Sequence, residues 1–165
     1  FMFELNMSKP TDRGIRRSLV FDTAFHDVDA LLEQVPAAML PSERLNAIGA
    51  LIQSTVTTSE TIERYVLDVW EASEDPLRFG IQLDGVDMHR LVLAGASPRG
   101  MSALLRASRV VAWLEGRTHL IPDDMLAVLP SVLAHRVFFT PVYELRRSEL
   151  APALVQKIID KVAAP

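Results

Sequence analysis

The sequence contains no cysteine, which removes disulfides, thiolate zinc sites and cysteine nucleophiles and suits an intracellular protein. Lysine occurs only as Lys9, Lys157 and Lys161, none of them after a glycine. The phosphate-binding loop G-x-x-x-x-G-K-[ST] is therefore absent. Glycine and proline are sparse, at 7 and 10, while 49% of residues are hydrophobic and 23% charged, a balance that excludes disordered and fibrous classes. No uncharged apolar run approaches the ~18 residues of a membrane span, and no charged-then-apolar leader opens the chain. A net charge of -4 lacks the basic footprint of a general nucleic-acid binder. At 165 residues there is room for one domain with a real core and a small appendage. The mean hydropathy, +0.19, is high for a free-standing domain and implies apolar surface meant for a partner.

Phe1, Phe3 and Leu5 alternate with Met2 and Glu4, a strand pattern closed by the turn-like Ser8-Lys9-Pro10. No convincing partner strands follow, and a lone strand cannot satisfy its own backbone. The expectation is a strand whose sheet lies upstream of this chain. Thr11–Ser18 reads as a basic, irregular, solvated connector. Helical spacing then takes over at Val28, Leu31, Leu32 and Val35, stopped by Pro36. A second helix carries Leu45, Ile48 and Ile52 after Pro41-Ser42. A third carries Ile62, Tyr65, Val66, Val69 and Trp70, with Thr57 and Glu60 as a capping box and Asp75-Pro76 as its stop. A short helix is expected around Met88–Leu93.

Ser97 as N-cap and Pro98 as first helical residue predict a helix from Pro98 to about Glu115, stopped by Gly116. At about 100° per residue, its apolar residues cover more than half the circumference. Arg99, Ser102, Arg106, Arg109 and Trp113 share the remaining wedge, so the helix is central with one narrow basic stripe. Arg99 stands where free N–H groups and the positive dipole end favour an anion. Two readings fit: a phosphate site, or a capped core helix whose arginines solubilise one edge. On spacing alone the second is the commoner outcome. A further helix opens at Pro122-Asp123-Asp124 and runs towards His135-Arg136, with Pro130 inside it. The last helix carries Leu154, Val155, Ile158, Ile159 and Val162 on one face.

No catalytic constellation emerges. Gly95–Gly100 departs from the nucleophile elbow G-x-S-x-G, because Arg99 stands where its last glycine is needed. His26, His89, His119 and His135 lack metal-ligand spacing. Asp27 and Asp29 are explained by a helix start, as are Asp123 and Asp124.

Gly95-Ala96-Ser97-Pro98-Arg99 resembles the C-terminal lid of the MoxR family of AAA+ ATPases. The likeness continues through Leu104-Leu105-Arg106-Ala107, Leu114-Glu115-Gly116-Arg117, Pro122-Asp123-Asp124, Val132-Leu133-Ala134-His135-Arg136 and Ile158-Ile159-Asp160-Lys161-Val162. It is strong from about Leu91 to Pro165 and fainter across Thr57–Asp75, and Phe1–Leu5 is similar to the strand that ends the family's ATPase core. Gly100 replaces a more usual alanine, Ile121 stands where a threonine cap is preferred, and residues 11–36 follow the pattern poorly.

The resemblance implies a mainly α fold: a helical, lid-like bundle over residues 37–165 after a strand-like arm and connector over residues 1–36. It implies that Arg99 is the sensor 2 residue, with Ala96, Ser97 and Pro98 beside it at the nucleotide. ATP and magnesium would be held mainly by a core outside this chain, and no cofactor or metal is expected for the chain alone. The implied partners are that core, neighbouring subunits of a ring and client proteins of a cytoplasmic, chaperone-like remodeller, with no nucleic acid and no membrane. Two alternatives stand beside it: the lid of a magnesium-chelatase-type ATPase subunit, and a helical interaction module without a nucleotide role. A P-loop and an acidic magnesium motif upstream of Phe1 would discriminate among them.

Overall fold

The computed structural model describes residues 2–36 and 41–165. Its residues form two compact units, Leu5–Ile48 on one side and Phe1–Glu4 with Gly49–Pro165 on the other. The fold is mainly helical, as expected, with one two-stranded sheet.

In Leu5–Ile48 the elements are α1 (Arg13–Phe21), a 3-10 turn at Thr23–Phe25, α2 (Val28–Glu33) and the first half of α3 (Ser42–Thr55). The irregular connector expected over Thr11–Ser18 is thus replaced from Arg13 onward by a helix. Its start is local: the Asp12 carboxylate accepts from the Ile15 N–H at 2.8 Å, satisfying one of the helix's orphan donors. Asp22 and Asp27 do the same for Ala24 and Ala30. None of the described residues in this unit is buried.

The larger unit contains α4 (Glu60–Glu74), β1 (Val92–Ala94), α5 (Pro98–Leu114), α6 (Pro122–Leu133), β2 (Phe138–Phe139), α7 (Pro141–Glu144) and α8 (Arg147–Lys161). Helix α5 packs along α6, α6 against α8, and α4 against both α5 and α8. Tyr65, Leu104, Met125, Leu129, Leu133, Leu154 and Ile158 are fully buried among them. Each such aliphatic side chain contributes roughly 1.5–3 kcal/mol by leaving water. Strands β1 and β2 pair antiparallel, Val92 opposite Phe139 and Ala94 opposite Phe138. The short helix expected at Met88–Leu93 is a 3-10 turn, Met88–Arg90, leading into β1.

The start of α4 differs from the expectation, whereas α6 opens at Pro122 as expected. Helix α4 is capped by Ser59, whose hydroxyl accepts from the Ile62 N–H at 3.2 Å. Thr57 is engaged elsewhere: its N–H donates to the Thr118 carbonyl at 2.9 Å and its carbonyl accepts from the Leu120 N–H at 3.0 Å. Helix α6 lacks a capping side chain at Ile121, and Asp124 compensates by accepting from the Ile121 N–H at 3.0 Å. The other Asp124 carboxylate oxygen pairs with Arg117, so a carboxylate only 1% exposed is doubly partnered.

Phe1 lies outside the described residues, and among residues 2–7 no strand forms. Glu4 donates its N–H to the Ser131 carbonyl at 2.8 Å, and the Met2 carbonyl accepts from Arg136 at 3.1 Å. An alternating apolar pattern marks a strand only when a ladder is available, and here the backbone is tied to helix-end groups.

Candidate functional site

The expected site residues Ala96, Ser97, Pro98 and Arg99 lead into α5 and are held from behind by α4. Gly95 passes so close to that helix that an added Cβ would lie 2.5 Å from Glu74 Cγ and 2.8 Å from its Cα and N, a clash that includes backbone. Ala96 is buried with both its backbone groups engaged. Its carbonyl accepts from Trp70 Nε1–H at 2.6 Å, and its N–H donates to Ser73 Oγ at 3.0 Å. Ser73 in turn donates to the Trp70 carbonyl at 2.7 Å, so a two-residue clamp fixes the turn.

Ser97 then caps α5, its hydroxyl accepting from the Gly100 N–H at 3.2 Å, with Pro98 at the first helical position. That is a structural task for the serine and not a nucleophile's. At the other end Gly116 takes φ +74°, and the Arg117 N–H closes onto the Ala112 carbonyl at 2.9 Å, the left-handed stop expected of glycine.

Arg99 is exposed at the first turn. No hydrogen bond or ion pair to another described residue engages its guanidinium. It lines an open cavity of about 560 Å³ with Ser97, Gly100, Ser102, Ala103 and Arg106 of the same region, and with Met2, His135 and Arg136. Three arginines and the N-terminal end of a 17-residue helix border this space, and among the described residues no carboxylate does. The field favours an anion. The basic stripe read on the helical wheel divides in the structure. Arg99 and Arg106 stay exposed, whereas Arg109 is half-buried and donates to Gln53 Oε1 at 3.4 Å.

Sequence reasoning assigned no role to Arg136 or His135. Arg136 Nη1 is shared among the Met2 carbonyl, the Val132 carbonyl and His135 Nε2, the last at 2.6 Å. Guanidinium only donates, so His135 Nε2 is the acceptor of that bond. Partial burial lowers the Arg136 pKa from its ordinary value, yet arginine keeps its charge. The signal in the sequence was Gly100, whose added Cβ would lie 2.6 Å from Arg136 Cδ. Gly100 leaves room for the arginine side chain. Asp27 and Asp124 serve helix starts. Among the described residues no group of three His, Asp or Glu could hold a metal ion, and no helix is long and apolar enough to cross a membrane.

Residues 87–158 match the AAA lid domain family. The chain is 49% identical over its whole length to Protein MoxR of Methylorubrum extorquens, of which it covers 48%. It is 34% identical over 61% of its length to Chaperone MoxR1 of Mycobacterium tuberculosis, covering 26% of that protein. A crystal structure of a candidate ATPase from Cytophaga hutchinsonii superposes on all of this chain with a TM-score of 0.66 at 20% identity, which speaks for the fold alone. This chain covers 47% of that structure, and so spans about half the length of both it and the Methylorubrum protein. With about half of its residues shared along its full length with a MoxR protein and residues 87–158 matching the AAA lid domain, the chain belongs to the MoxR family of AAA+ proteins and carries that family's lid.

Proposed function

We propose that this lid supplies Arg99 as the sensor 2 residue of a MoxR-type ATPase, closing electrostatically on the terminal phosphates of ATP. The observation that carries the reading is an exposed arginine on the first turn of a capped helix, without a partner among the described residues, beside a cavity bordered by two further arginines and by no carboxylate of the described residues. These residues fit an anionic phosphate and do not fit magnesium, for which the described lining offers three cationic arginines and no carboxylate. ATP, when bound, supplies the phosphoryl group and its developing charge. Arg99 stabilises that charge electrostatically, and Ala96, Ser97 and Pro98 hold the turn that presents it. The Trp70–Ser73 clamp passes any tilt of this turn to α4, so that nucleotide state and lid angle are coupled.

The P-loop and the magnesium carboxylates belong in this reading to a core outside the chain, and neighbouring subunits complete a ring that remodels client proteins in the cytoplasm. The chaperone description of the Mycobacterium relative supports that remodelling role. A protein-interaction role is favoured by a separate observation: Ile15, Leu19, Val20, Phe21 and Phe25 are all exposed on Leu5–Ile48.

The test is Arg99→Ala in the protein that includes the core. Steady-state ATP turnover is expected to fall by about tenfold or more, with the melting temperature unchanged. The 165-residue chain alone is expected to show no turnover. Unchanged turnover with an intact fold would return Arg99 to a solubilising surface role.

A further inference from the structure

We propose that Arg136 is a positioning residue for Arg99, a latch that seats the first turn of α5 against the N-terminal segment and the end of α6. Gly100 follows Arg99 directly, and Arg136 lies across it: an added Cβ there would be 2.6 Å from Arg136 Cδ and 3.3 Å from Nε. An alanine here would press on the arginine and make its side chain shift, whereas glycine leaves that seat free although it weakens a helix relative to alanine.

From that seat the guanidinium joins three pieces of the larger unit. Nη1 donates to the Met2 carbonyl at 3.1 Å and to the Val132 carbonyl. Val132 is in the last turn of α6, so the cation also sits at the negative end of that helix's dipole. The same nitrogen donates to His135 Nε2. The Glu4 N–H bonded to the Ser131 carbonyl supplies a second tie for the same N-terminal segment. A shift of Met2 relative to α6 therefore pulls on Arg136, and Arg136 bears on the turn that presents Arg99. With Nη1 committed to protein acceptors, the role proposed for Arg136 is exerted through that turn.

The role rests on the reading of Arg99 given above, and the test has two arms so that the two can fail separately. The first arm uses the 165-residue chain and melting temperature. Gly100→Ala and Arg136→Ala are each expected to lower it. The double variant is expected to melt at or slightly above Arg136→Ala, because the added methyl no longer meets the arginine and alanine favours the helix. Arg136→Ala is also expected to release exchange protection at the Glu4 amide. Additive melting shifts would overturn the latch. The second arm measures turnover in the protein that includes the core. Arg136→Ala and Gly100→Ala are expected to lower kcat by about tenfold, the scale of a small misplacement, with KM for ATP within about twofold. Full kcat in Arg136→Ala while Arg99→Ala is inactive would overturn the positioning role. If Arg99→Ala itself were silent, the sensor 2 reading would fall and the positioning role with it, the melting cycle alone then deciding the latch.

Discussion

In Leu5–Ile48, Asp12, Asp22 and Asp27 each cap a helical turn, and yet not one described side chain is buried. In Gly49–Pro165, helices α6 and α8 have no side-chain cap at their N-terminal residue, and yet Leu129, Leu154 and Ile158 are wholly excluded from water. Local hydrogen bonding thus starts helices in both regions, whereas interdigitated apolar faces consolidate only one of them. Short isolated helices are marginal in water. The capped turns of Leu5–Ile48 accordingly depend on what covers Ile15, Leu19 and Phe21.

The sharpest way to break this contrast is a matched pair of truncations. Leu129→Ala removes a fully buried side chain and is expected to cost about 2–5 kcal/mol. Leu19→Ala, at a position 45% exposed, is expected to stay within about 0.5 kcal/mol. Chemical denaturation of the two variants reads the difference, and equal losses would mean that Leu19 has a buried home. Next in size is Asp124→Asn, which leaves Arg117 without its carboxylate and weakens the tie to Ile121. A loss of about 1.5–3 kcal/mol is expected, again by denaturation.

Caps give a smaller and more local contrast. Ser97→Ala and Asp12→Ala each remove an interaction of about 1 kcal/mol. The first is expected to lower global stability, since α5 lies at the centre of the core. The second is expected to speed amide exchange in α1 alone. A shift of the global melt by Asp12→Ala would show that the two regions unfold together.

The smallest effect concerns pH. The Arg146 side chain, hydrogen-bonded to Glu149 and beside its charge, holds the Glu149 carboxyl below its ordinary value. A depressed carboxyl contributes stability that is present above the unfolded-state value and is lost as pH falls through the folded one. Because the Glu149 carboxylate is exposed and Arg146 only half-buried, solvent screens the pair. Glu149→Gln should slightly lower the neutral plateau of a melting-against-pH profile and so flatten its acid limb, leaving the most acidic end unchanged.

The helices whose signals are local were legible in the sequence. Ser97, Pro98 and Gly116 bounded α5 to within a residue, and Pro41-Ser42 opened α3. What was not legible depended on distant partners. Thr57 looked like a cap, but its backbone is committed to residues 118–120. Strands of three and two residues, 44 positions apart at Ala94 and Phe138, carry no pattern long enough to read. Arg13, Arg16 and Arg17 suggested a solvated connector, and their charge hid the amphipathic helix that Asp12 starts. At the candidate site the motif residues were named in advance, while Trp70, Ser73 and Arg136 were not, since their contribution is a contact with backbone and not a sequence spacing.

Of the two tryptophans, Trp113 is 42% exposed near the end of α5, whereas Trp70 donates its indole proton to the Ala96 carbonyl. The motif turn is therefore wired to a chromophore. Indole emission reports polarity and hydrogen bonding around the ring, so a Trp113→Phe chain would leave one fluorophore reading one bond. Movement of the turn that presents Arg99 becomes an optical signal intrinsic to the protein, resolvable in time by rapid mixing and needing no attached label.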